Sequence, residues 1–379
     1  MVYIENIYIG LLVFPLIAAL ITLPYALYQY NKHGSVSKLR TLIIYSFVLY
    51  MLIAFFMVSL PLPKKASTLK NNWHTHINLI PCKQFMMFWH NKALTIANIK
   101  KYIMSMSLWT LLFNVLLTMP FGVYMRYYFK LSIKKTMLYS FFLSLFYEFS
   151  QITGLFWIYP GPYRMADVED LICNTLGGVL GWQYTYVFTK RLPTRDEIDE
   201  KCRVASKTVT GMRRVWSVIF DYTLGSVIFL FLIGTAEILI PGLDNYSIYE
   251  KVSDWSFFCV FSLVQVVLTG GSTLGHGICR VVLISEDGRP ATRMDFLKRY
   301  LYLWLFSELP DIVVGLVTDE KFGFIQNENV ILFLTIAAKL YFVLYLINVV
   351  FRKGVRMPHE KLSKTKYMVT EAPKADKKK

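Results

Sequence analysis

Between positions 114 and 174 the chain sets side chains capable of chemistry into segments otherwise made of Leu, Phe, Ile and Gly. Ser144, Glu148 and Gln151 fall at i, i+4 and i+7, so a helix places them on one face. Asp167, Asp170 and Asn174 fall at i, i+3 and i+7 and share a second face if a helix starts near Asp167. Asn114 lies mid-way along another apolar run, and Arg164 comes just before the aspartates. A polar or phosphorylated headgroup is one partner for such a set, with Arg164 as the anion partner. Paired carboxylates also raise acid–base work, and Asp167 with Asp170 raises a divalent cation. No nucleophile elbow, HExxH or phosphate-cradling loop accompanies them, so no reaction and no cofactor is assigned. The structural alternative is an Arg164 pair with Asp167 or Asp170 and a Glu148–Asn114 bond that only fix helix packing.

The elements around these residues are apolar and long. Of 379 residues, 55% are hydrophobic and 17% charged, and the mean hydropathy is +0.42. Soluble domains are normally about 25% charged, which favours a membrane protein. Nine runs approach the roughly 20 residues that span a bilayer: 7–28, 41–62, 103–125, 137–158, 171–188, 216–240, 255–273, 300–317 and 330–351. A carboxylate at mid-depth costs about 2.5–3.5 kcal/mol even on the lenient scale, so Glu148 should face the bundle. Gly177, Gly178 and Gly181 let neighbouring helices come close.

The net charge of +16 sits largely between the runs and in the tail, without the aromatic-interleaved face that nucleic acid requires. Placing the basic loops in the cytoplasm puts the N-terminus outside and the C-terminus inside. Segment 63–101 is then external, and its FMMFW patch (85–89) suits the outer membrane surface. Five dispersed cysteines with no CxxC pair make neither a disulfide framework nor a zinc site.

The expected fold class is an all-α polytopic membrane protein of about nine spans. Segment 191–212 is the hydrophilic break, and Thr194 with Glu197 forms a helix-starting T-x-x-E pattern. It divides a five-helix membrane domain (1–190) from a four-helix one (213–352). A small cytoplasmic hairpin is expected near 280–293, turning at Asp287–Gly288. The lysine-rich stretch 353–379 reads as a disordered tail held near anionic lipid.

Four spaced motifs make the first half resemble the VanZ family: HINLIP (76–81), NVLLTMPFG (114–122), SLFYEFSQ (144–151) and RMADVEDLICNTLGGVLG (164–181). The resemblance adds Asn78 to the ligand-binding candidates Asn114, Glu148, Gln151, Arg164, Asp167, Asp170 and Asn174. Thr118 stands where the family has Phe. The second half resembles the RDD family through RRVWSVIFD (213–221) and GGSTLGHGICRVVLISEDGRP (270–290), followed by Arg299. Its namesake residues are Arg213, Asp221 and Asp311, and His276 stands where lysine is usual.

The resemblance implies a bacterial plasma-membrane protein, from Gram-positive cells, associated with resistance to teicoplanin and related lipoglycopeptides. A membrane lipid or lipid-linked cell-wall precursor is the implied partner. A transporter or flippase using Asn114 and Glu148 is one rival. A transferase or hydrolase of lipid-linked phosphate using Asp167, Glu169 or Asp170 is the other.

Overall fold

The computed structural model describes residues 2–64, 68, 72–81, 83–90, 95–239, 254–318, 327–351 and 356–370. It is predominantly helical and forms two compact units, Met1–Leu23 with Lys38–Ile198 and Pro24–Ser37 with Asp199–Lys379. Helix α1 (Val2–His33) leads into α2 (Lys38–Ser59), then a two-residue strand β1 (Ile77–Asn78). Short helices α3 (Lys83–Trp89) and α4 (Ile96–Ile103) follow, and Phe85 meets Tyr102 at a ring separation of 5.5 Å.

Helices α5 (Met106–Tyr127) and α6 (Ile133–Ile152) each follow a capping serine, whose hydroxyl accepts the amide of the third helical residue. After α6 the chain makes a left-handed turn, α7 (Gly154–Trp157), in which Leu155 and Phe156 have φ of 56° and 54°. Then come β2 (Ala166–Asp167), α8 (Val168–Gln183), α9 (Thr185–Thr189) and α10 (Arg195–Ser206). Thr194 caps α10 through a 3.3 Å bond from the Glu197 amide. Helix α8 packs along both α5 and α6. A Cβ on Gly178 would overlap the Ser140 hydroxyl, and one on Gly181 would overlap the Met119 carbonyl. Glycine is therefore the residue type that lets these three helices close up.

The second unit is built from α11 (Gly211–Leu239), α12 (Asp254–Thr269), α13 (Leu274–Cys279), β3 (Val281–Ser285), α14 (Arg293–Thr318), α15 (Glu328–Phe351), α16 (Pro358–Leu362) and β4 (Thr365–Val369). Phe258, Val266, Leu283, Phe296 and Leu303 form its buried core. The turn after β3 is closed by a 3.0 Å bond from the Gly288 amide to the Ser285 carbonyl, and Ile284 bridges Pro290.

One expectation is corrected. Residues 356–370 form α16 and β4 instead of continuing a disordered tail, and β4 runs antiparallel to β3 from Val281↔Val369 to Ser285↔Thr365. The reason is that β3 is largely buried, so its backbone donors and acceptors need partners that a lone hairpin leaves unfilled. Residues 352–355 and 371–379 lie outside the described residues.

Among the described residues, four helices are long and apolar enough to cross a membrane: Glu5–His33, Lys38–Ser59, Leu108–Tyr127 and Gly211–Ala236. Further apolar runs fall in shorter or more polar helices, among them α12 with 16 residues. Helix α8 has 16 residues, and α6 carries Lys134, Lys135 and Glu148.

Candidate functional site

Strands β1 and β2 run parallel with Asn78 opposite Asp167, tied by the Ala166 amide to the His76 carbonyl at 2.8 Å. Asn78 Nδ2 donates to Asp167 Oδ2 at 2.9 Å. The other oxygen, Oδ1, accepts the Glu169 amide at 2.9 Å and so caps α8. The Asp167 amide in turn donates to Glu148 Oε2 at 3.0 Å. The start of α8 is thus held by a carboxylate from α6 and an amide from β1.

One turn further on, Asn114 Nδ2 donates to Asp170 Oδ1 at 2.5 Å. Asn174 Nδ2 donates to Ser144 Oγ at 2.9 Å, and the Thr118 hydroxyl donates to the Asn174 carbonyl at 2.7 Å. Thr118, a departure from the family pattern, therefore has its own bond in the helix contact. Arg164 donates to the carbonyls of Val58 at 2.7 Å and Leu60 at 2.6 Å, and Gln151 Nε2 reaches Val58 at 3.4 Å. All eight candidates of this half lie along the contacts of α2, α5, α6, α8 and β1. Asn78, Glu148, Gln151 and Asn174 are buried, whereas Asn114, Arg164, Asp167 and Asp170 are half-buried.

The two pairings of the structural alternative are not formed. Arg164 turns to the end of α2 rather than to Asp167 or Asp170, because terminal helix carbonyls lack intrahelical donors and attract a cation. Asn114 bonds Asp170, not Glu148, because the glycine contacts bring α5 alongside α8. In consequence the carboxylates keep bonding capacity. Among the described residues no donor reaches Glu148 Oε1 or Asp170 Oδ2. Asn174 Oδ1 and the Tyr147 hydroxyl are buried without a partner among the described residues. Among the described residues, no three His, Cys, Asp or Glu side chains are grouped to hold a metal ion.

In the second unit Arg213, 2% exposed, donates to four carbonyls: Cys279 at 2.6 Å, Ser206 at 2.7 Å, Arg280 at 3.1 Å and Thr208 at 3.2 Å. Asp221 accepts the Thr273 hydroxyl at 2.6 Å and the Gly275 amide at 2.8 Å, which ties it to the start of α13. The side chain of Asp311 lies outside the described residues. Arg299 pairs with Glu360 at 2.9 Å and bonds the Thr365 hydroxyl at 2.9 Å, while Arg214 reaches the other Glu360 oxygen at 2.9 Å. Sequence reasoning missed Glu360, although it is the single acidic residue between positions 352 and 370.

The VanZ/LLP1 family model matches residues 47–189, and the RDD family model matches residues 208–364. No curated protein and no solved structure matches the chain.

Proposed function

From a chain that carries a VanZ domain fused to an RDD domain, we propose a bacterial plasma-membrane protein that lessens the action of lipoglycopeptides such as teicoplanin. It does so by binding or remodelling a cell-envelope lipid at the outer leaflet, through the network around Glu148 and Asp170. The reading rests on one observation: a buried and a half-buried carboxylate, in a shared network, each keep an oxygen with no donor among the described residues. Neither open oxygen is sealed off from its surroundings, so a ligand supplying N–H or O–H groups can reach it and complete its hydrogen bonding. Arg164 is already engaged by two carbonyls, so the favoured headgroup is rich in amine or sugar hydroxyl donors rather than a bare phosphate.

With the nine spans and external N-terminus read from the sequence, the site faces outward. The basic residues of 371–379 suit anionic lipid on the opposite surface.

Native mass spectrometry of protein purified in mild detergent tests the site. The wild type is expected to carry a co-purifying envelope lipid that Glu148→Gln and Asp170→Asn lose, together with protection in cells at equal surface expression. If both variants retain lipid and protection, the site is misassigned. A metal-dependent change in the lipid itself would replace binding with catalysis, and altered lipid sidedness in proteoliposomes would replace it with transport.

A further inference from the structure

Within the second unit, α11, α13, α14, the α16 segment and β4 line a partly open cavity of about 200 Å³. Val218, Leu303 and Met357 supply hydrocarbon wall, while Ser217, Asp221, His276, Arg299 and Glu360 border it with polar groups. The charged groups of this set are engaged. Both Asp221 oxygens have donors, both Glu360 oxygens accept from arginines, and both terminal nitrogens of Arg299 donate.

Two neutral groups are not. The Ser217 hydroxyl, in a residue 1% exposed, is buried without a partner. His276, also 1% exposed, accepts the Thr273 amide on Nδ1 at 3.4 Å. The proton of the neutral ring therefore sits on Nε2, which makes no hydrogen bond among the described residues. The ring is held neutral because burial, and then the charge of Arg299, push its pKa down to about 3.

A cavity of this size is large enough for a small molecule, since an engineered cavity of about 150 Å³ takes benzene. We propose that this cavity binds a neutral amphiphile with an alcohol or carbonyl oxygen at one end and an apolar body of about eight non-hydrogen atoms. The oxygen accepts from His276 Nε2 and bonds the Ser217 hydroxyl, and the body lies against Val218, Leu303 and Met357. The site is independent of the Glu148 network and uses none of its residues.

A six-carbon alcohol bearing a diazirine is the probe. Irradiated with the full-length protein in detergent and mapped by mass spectrometry, it is expected to label residues 215–222 and 300–303, and tenfold excess hexanol should suppress that labelling severalfold. Leu303→Trp fills the cavity and should remove the label at 215–222. Label that hexanol does not suppress, or that spreads evenly over the apolar helices, overturns the site. That competition is read on the wild-type chain, so a misfolded Leu303→Trp protein does not blunt it. Hexanoate competing as well as hexanol at neutral pH overturns the neutral headgroup.

Discussion

In the second unit Arg299 and Glu360 meet at 2.9 Å with 5% and 2% of their side chains exposed, and each Glu360 oxygen has a donor. In the first unit Glu148 is buried as deeply, 4% exposed, yet one of its oxygens has no donor among the described residues. A carboxylate whose lone pairs are all engaged has little left for a ligand, and it serves to hold elements together. One with an open oxygen that is not sealed off can still accept from a ligand, which is the condition of a binding site. The same contrast recurs among neutral groups, since the open ones of the second unit, Ser217 and His276, border its cavity. Saturation, more than burial, separates scaffold from site.

The largest expected effect comes from cutting the saturated pair. Glu360→Ala leaves Arg299 buried beside no carboxylate and should cost about 3–5 kcal/mol of stability, measured by denaturant unfolding in detergent. A loss below about 1 kcal/mol would break the contrast, because the pair would then not be part of the scaffold.

Acid is the next lever. Below the ordinary value of 6.5 an unfolded His276 takes up a proton that the buried ring accepts only near 3. The unfolded chain then binds more protons, so stability falls as pH drops through that window, by up to about 1.4 kcal/mol per pH unit for one group. His359 adds in the same direction, because burial first, and then Arg299 and Arg214, lower its pKa. Melting temperature against pH should therefore be less steep in His276→Phe than in the wild type. Identical slopes would mean that the ring is not buried neutral.

A smaller effect sharpens the comparison most directly. Asp221→Asn gives up one of two engaged acceptors and should cost about 1–3 kcal/mol. Asp170→Asn keeps an acceptor for Asn114 and should cost less than about 1 kcal/mol. The two aspartates should thus separate in thermal unfolding, and Asp170 should matter for lipid rather than for stability.

Local periodicity made the polar faces legible. Ser144, Glu148 and Gln151 do share α6, and Asp170 and Asn174 do line α8, with Asp167 capping it from just outside. The partners were not legible. The Asn78–Asp167 bond spans 89 positions, Asn114–Asp170 spans 56 and Arg164–Val58 spans 106. Those distances are closed by helix packing and by a two-residue parallel bridge, neither of which leaves a repeat in the chain. The strand β4 was missed for a related reason. Its lysines resemble a solvated tail until β3 is present to pair with it.

The pairing of Arg299 with Glu360 also sets an order of events during synthesis. The two residues are 61 positions apart, which a ribosome working at 5–20 residues per second covers in about 3–12 s. Through that interval the guanidinium of Arg299 has been made and its counter-charge has not. Until then the guanidinium depends on water for its hydrogen bonds. Segment 356–370 therefore supplies the counter-charge and the hydroxyl that complete the burial of Arg299.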